Sequence, residues 1–191
     1  MLGEIIIVQP GLLLAEGKRG KLPPIGSIVK TQHPIYCIVV SHAIDSKIPG
    51  RLPIAYGKSI TELENEEPQV FELMKWMFQI VPFGSLKNEK LFVAYPANAI
   101  ETHSTLDYAT DSEIEKIFAD DLSFINFLFR LDKSVIPMRD EAVINFLNKY
   151  FSLLPSENRE KEYKKVMRHI AVLLKNDYFS LSAIISGVEK P

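Results

Sequence analysis

Residues 51–71 read RLPIAYGKSITELENEEPQVF, and this stretch carries the strongest indication of the fold. Its first part, Leu52–Tyr56, is a short apolar run with the composition of a β-strand. A Tyr-Gly-Lys turn follows, and then an acidic segment with the composition of a helix. None of these residues forms a recognisable reaction centre. A strand, a turn and an acidic helix in this order are typical of a connector within a small β-barrel.

The acidic segment predicts two short helical pieces. Thr61 precedes Glu64 by three residues, which is the spacing of an N-terminal capping box. The proline that follows the glutamates fits poorly in a helix interior but well in a first helical turn. We therefore expect helices over Thr61–Glu66 and Pro68–Met74. Together they form a helical insertion near 61–75.

The chain up to residue 95 otherwise has β composition, with Gly and Pro pairs between apolar runs. About six short antiparallel strands close most readily as a barrel, since closure removes exposed edges. The sequence therefore predicts a six-stranded closed β-barrel over residues 1–95. The strands are expected among seven runs of strand composition, Glu4–Val8, Leu12–Glu16, Ile25–Lys30, Ile35–Ser41, Leu52–Tyr56, Trp76–Phe83 and Lys90–Tyr95.

The pattern changes after residue 95. Residues 96–110 are mostly polar and predict a linker that lies on a surface. From residue 111 the apolar residues recur at helical spacing, with short interruptions, to residue 191. This periodicity predicts a small α-helical bundle over 111–191. The whole chain is therefore expected to have an α+β fold.

Composition describes an ordinary globular protein. The 191 residues are 47% hydrophobic and 24% charged, with a net charge of −2. The one cysteine, Cys37, cannot form an internal disulfide, and it stands in the apolar run Ile35–Ser41, which favours a small buried side chain. The apolar start Met1–Val8 is too short for a signal peptide, and no run approaches the ~20 apolar residues of a membrane span. We expect a cytoplasmic protein without a membrane partner.

Motifs for nucleotides and metals are absent from the sequence. Neither G-x-x-x-x-G-K-[ST] nor G-x-G-x-x-G occurs, and the four histidines have no metal-ligand spacing. His103 has Glu101 and Asp107 nearby, so general acid–base chemistry is one interpretation of this residue. A hydrogen bond from His103 to the barrel surface is the simpler one. The sequence thus predicts no catalytic residue, no cofactor and no metal.

Two charged groups are candidates for binding. Lys18, Arg19 and Lys21 form a basic loop that could contact nucleic acid or a protein. The glutamates of 62–67 form an acidic helix, interpreted as a solvated face or as a negatively charged docking surface.

Two runs of residues resemble a known barrel family. Gly26–Lys30 (GSIVK) and Ile35–Val40 (IYCIVV) resemble the "G-s-h-V-k … h-y-G-V-V" run of the HerA–ATP synthase barrel, or HAS barrel. Cys37 stands where that family often has glycine. The resemblance implies a six-stranded fold and a role in assembly, or in holding a ring or a partner. ATPases with this barrel carry a P-loop motor after it, and because this sequence has no such motif, ATP hydrolysis is not implied.

The following part of the chain extends this resemblance. Ala55–Lys58 and Glu66–Phe71 are similar to the "A-Y-x-K … E-x-P-Q-h-F" connector of a stand-alone HAS-barrel subfamily. The subfamily continues through a "Y-P … H" linker into a helical tail, matched here by Tyr95, Pro96 and His103.

These observations favour a non-enzymatic protein-assembly or adaptor module. Its partner is expected to be a protein, either an ATPase or a second copy of the chain. The alternative is a nucleic-acid-binding accessory protein that acts in DNA processing with a translocating ATPase. The candidate partner-binding residues are Lys18, Arg19, Lys21, Tyr56, Lys58, Pro68 and Gln69.

Overall fold

A computed structural model describes residues 1–87, 90–96, 100–119 and 122–190. Its β-structure and helices confirm the predicted α+β class. The strands are β1 (Gly3–Gln9), β2 (Leu12–Gly17), β3 (Ile28–Thr31), β4 (Tyr36–Ser46), β5 (Met74–Lys87), β6 (Lys90–Val93) and β7 (Thr105–Tyr108). The helices are α1 (Ile60–Glu66), α2 (Gln69–Glu72), α3 (Asp111–Ala119), α4 (Ser123–Arg130), α5 (Arg139–Leu153), α6 (Ser156–Leu173) and α7 (Tyr178–Gly187).

The strands form one antiparallel sheet of seven in the order β2-β1-β7-β3-β4-β5-β6. β2 also pairs with β5, over Leu13–Gly17. The pairings therefore form a cycle of six strands, and β6 lies outside it as an extension of β5. Helices α4 and α5 pack directly on this cycle, through β5 and β4.

The linker expected over 96–110 contains β7, so that expectation needs a correction. β7 lies between β1 and β3, with Leu106 opposite Gly3 and Tyr108 opposite Val29. Its sequence, TLDY, has one fully buried side chain, that of Leu106, which is too little apolar character to show an alternating pattern. Residues 97–99 of the expected linker lie outside the described residues.

The strand expected over Leu52–Tyr56 is also wrong, because these residues have no regular secondary structure. The insertion is present, but its first helix begins earlier than expected. Ser59 is the N-cap and forms the capping box with Glu62. The Ser/Thr-x-x-Glu spacing occurs twice in this stretch, at Ser59/Glu62 and at Thr61/Glu64, and the first pair forms the capping box.

Two hydrophobic cores lie on opposite sides of β4. Cys37 and Val39 belong to a core that takes residues from all six strands of the cycle. Tyr36, Ile38 and Val40 alternate with them and belong to a core shared with helices α3–α7. This arrangement explains the uninterrupted apolar run in β4, because both of its faces are buried. As expected, Cys37 is a buried side chain, and burial raises the pKa of its thiol.

Candidate protein-binding surface

Arg19 connects the two features that the sequence singled out. Its guanidinium forms an ion pair with Glu64 of α1, with Nη2 and Oε1 2.6 Å apart. The same group lies 3.6 Å from the centroid of the Phe71 ring and 5.8 Å from that of Trp76. The loop after β2 is thereby held against α1 and α2. We call residues 51–74 together with this loop, residues 18–21, the insert surface.

Lys58 anchors the turn before α1. Its Nζ is 2.9 Å from Glu66 Oε2 and 2.9 Å from Glu67 Oε1. These hydrogen bonds raise the pKa of Lys58. Like Arg19, Lys58 therefore has carboxylate partners within the protein. Lys18 and Lys21 are exposed and have no ion-pair partner in the part of the chain that the structure describes.

The segment 52–57 is the most unusual part of the insert surface. No hydrogen bond of the described residues involves its backbone or side chains. The Leu52 side chain is 79% exposed and that of Ile54 is 61% exposed. The segment runs along a groove between the end of β4 and α2, which is lined by Ile48, Tyr56, Val70, Leu73 and Met74 among others. An unpaired backbone beside exposed apolar side chains is a feature of protein contact sites.

The remaining candidate residues are Tyr56, Pro68 and Gln69. Tyr56 is half-buried and lines the groove. Pro68 caps α2 and Gln69 begins it, and both are exposed. Leu52 and Ile54 were not predicted as site residues, because their alternation was interpreted as a strand of the barrel. The contact of Phe71 with Arg19 was not predicted either, because no local pattern encodes it.

Glu113 is the centre of a polar cluster away from the insert surface. It accepts hydrogen bonds from Lys30 at 2.7 Å and from Tyr36 at 2.7 Å, and its second oxygen accepts one from the Thr110 amide at 2.8 Å. Burial alone would raise the pKa of Glu113, but these hydrogen bonds outweigh it and lower the pKa to about 2. Burial, followed by the contact with Glu113, raises the pKa of Tyr36. A carboxylate held in this way is a weak base, and its contacts join β3 and β4 to α3.

Ser180 and Lys133 have the superficial geometry of a nucleophile and its base, with Lys133 Nζ 2.5 Å from Ser180 Oγ. The ammonium is also 3.0 Å from Asp140 Oδ2, and Ser180 donates to Asp177 at 2.6 Å. Asp177 is the N-cap of α7 and accepts from the Ser180 amide. Ser180 is 1% exposed. The group is therefore an ionic cluster that fixes the start of α7 to the loop before α5.

His103 hydrogen-bonds to Glu4 on β1, as the simpler interpretation predicted. Its side chain is 80% exposed, and its φ of 69° lies in the left-handed region. Of the two carboxylates that the sequence placed near it, Asp107 pairs instead with the terminal amine of Met1. His103 thus lies on an open surface.

Metal sites and membrane-spanning helices are both absent from the described residues. No group of three or more His, Cys, Asp or Glu side chains has the geometry to hold a metal ion. None of the helices in this part of the chain combines the length and apolar character needed to cross a membrane. In comparisons with known proteins, no family model matches the chain, and neither does any curated protein.

Proposed function

We propose that this protein is a non-enzymatic assembly or adaptor module that binds a protein partner through its insert surface. The observation that carries the proposal is the segment 52–57, which is free of hydrogen bonds within the described residues and highly exposed at Leu52 and Ile54. Apolar side chains and unpaired amides together match what a protein partner provides.

The mode of binding that fits this segment is strand addition. An extended partner segment would pair with the backbone along one edge of 52–56, where Leu52, Ile54 and Tyr56 each retain an amide N–H. The other edge lacks one donor at Pro53, which is typical of an edge strand. The side chains of Leu52 and Ile54 would supply apolar contacts to the same partner.

We further propose that the strand cycle is a closed six-stranded barrel of the HAS type. Every strand of the cycle contributes side chains to one core, and Ile5, Leu13, Val29 and Phe78 there are fully buried. Side chains that fill the interior are expected for so small a barrel. Such a barrel would be a rigid support for the insert surface.

Nucleic-acid binding has less support than protein binding. It depends on uncompensated cations, since counterion release scales with the number of phosphates neutralised. Arg19 and Lys58 have carboxylate partners within the insert surface. That leaves Lys18 and Lys21 as the exposed cations of the predicted patch.

The proposal is tested by affinity purification of the tagged full chain from its own cells, followed by mass spectrometry. We expect the wild type to recover a protein partner in stoichiometric amount, and the double variant L52D/I54D to lose it. Both side chains are exposed, so the fold should tolerate the change. Val135, which is 41% exposed between α4 and α5, is a matched control position outside the insert surface. We expect V135D to retain the partner. Retention of the partner by L52D/I54D would reject the insert surface as its binding site.

A further inference from the structure

The outer face of α7 is strongly apolar and exposed. Tyr178 is 75% exposed and Phe179 is 84% exposed, and the two rings contact each other with centroids 6.2 Å apart. Ile185 continues this face at 45% exposure. We call these three side chains the α7 face.

α7 differs from an ordinary surface helix, which has a polar side towards solvent. Its inner side packs through Ser180 and Ile184, which are buried. Its outer side carries Ser182, Ala183 and Ser186 beside the aromatic and aliphatic residues, and the helix contains no charged residue. A helix that has no charged residue and exposes large apolar side chains is normally covered by another surface.

We propose that the α7 face binds the same face of a second copy of this chain, with the two α7 helices antiparallel across a twofold axis. The face is complementary to itself in this arrangement. Its first turn carries the large rings of Tyr178 and Phe179, whereas Ser182, Ala183 and Ser186 are small. Antiparallel pairing places the rings of one copy over the small residues of the other, and small residues allow close approach of the helices.

The charge and the area of the α7 face agree with a second copy of the chain as its partner. Because α7 carries no charge, two copies meet without repulsion between their outer sides. The two aromatic side chains offer roughly 300 Å² of surface between them. Ile185 enlarges this apolar centre, and a polar rim around it would supply the rest of the ~800 Å² per partner of a standard interface.

The first test is the mass of the full chain in solution, measured by light scattering over a concentration series. We expect a concentration-dependent dimer, and at least about a tenfold weaker dimer in F179S, as for loss of an aromatic hot spot. A wild type that stays monomeric at every concentration would overturn the proposal. An unchanged dimer in F179S would do the same.

The second test determines the geometry of the dimer by disulfide trapping. Cys37 is fully buried, so an introduced cysteine would be the only accessible thiol among the described residues. Ala183 lies near the middle of α7, where antiparallel copies bring the same residue of each chain together. We expect A183C to form a covalent dimer under mild oxidation and L52C, at 79% exposure on the insert surface, to remain unlinked. Cross-linking of L52C without that of A183C would assign self-association to the insert surface and overturn the proposal.

Discussion

At the scale of single residues, Glu113 shows how one carboxylate joins two parts of the fold. It links Lys30 and Tyr36 in the sheet to the first turn of α3. Lys30 and Tyr36 lie 83 and 77 positions before Glu113 in the sequence, so no spacing rule relates these three residues.

The lowered pKa of Glu113 predicts a specific acid sensitivity. Its value of about 2 lies below the ordinary value of 4.5, so ionised Glu113 stabilises the folded state above pH 4.5, and this contribution is lost as the pH falls towards 2. The contribution is on the order of 3 kcal/mol. We expect E113Q to lower the free energy of unfolding at pH 7, as measured by urea denaturation. Between pH 4.5 and 2, the free energy of unfolding of E113Q should decrease less than that of the wild type. E115Q, an exposed change on the same helix, should follow the wild type.

At the scale of elements, the comparison of 52–56 with 105–108 shows what local sequence can and cannot determine. Leu52–Tyr56 has the more apolar run, yet Thr105–Tyr108 is the strand. A strand needs partners in space, and β7 finds them in β1 and β3. Helices α5–α7 were predictable in outline because their hydrogen bonds are local and their apolar faces repeat. The order of strands was not, since pairing depends on residues far apart in the chain.

The contact of Arg19 with the insertion predicts a local change in stability. R19A removes both the ion pair to Glu64 and the stacking on Phe71, which together contribute about 1 kcal/mol. We expect faster amide hydrogen exchange across α1 and α2, with exchange in α5 unchanged. K18A is the control, since Lys18 has no ion-pair partner in the described part of the chain. Equal exchange in R19A and wild type would mean that the loop does not hold the insertion.

At the scale of the whole molecule, the sequence identified two parts of the insert surface but not the contacts within it. The basic loop and the 56–71 stretch were both identified from their composition, and Arg19 brings them together. Their cations were expected to be available to a partner, whereas Arg19 and Lys58 are already paired. Composition alone does not reveal which opposite charge each side chain reaches in the fold.

The remaining basic residues allow a test of the nucleic-acid alternative. If the protein is an adaptor, we expect no mobility shift of DNA at physiological salt and unchanged partner recovery by K18E/K21E. The reason is that Lys18 and Lys21 neutralise too few phosphates for strong binding. A salt-dependent shift that disappears in K18E/K21E would instead support the accessory DNA-processing function.

The position of β7 in the chain determines when the sheet can be completed during synthesis. β1 and β3 leave the ribosome first, but the strand between them ends at Tyr108. Because synthesis proceeds at roughly 5–20 residues per second, β7 is made several seconds after β3. The outward side chains of β4 remain uncovered longer still, until α5 is complete at Leu153. We expect β4 to be the segment of the nascent chain that chaperones bind, and to be released from them only after the helices have emerged.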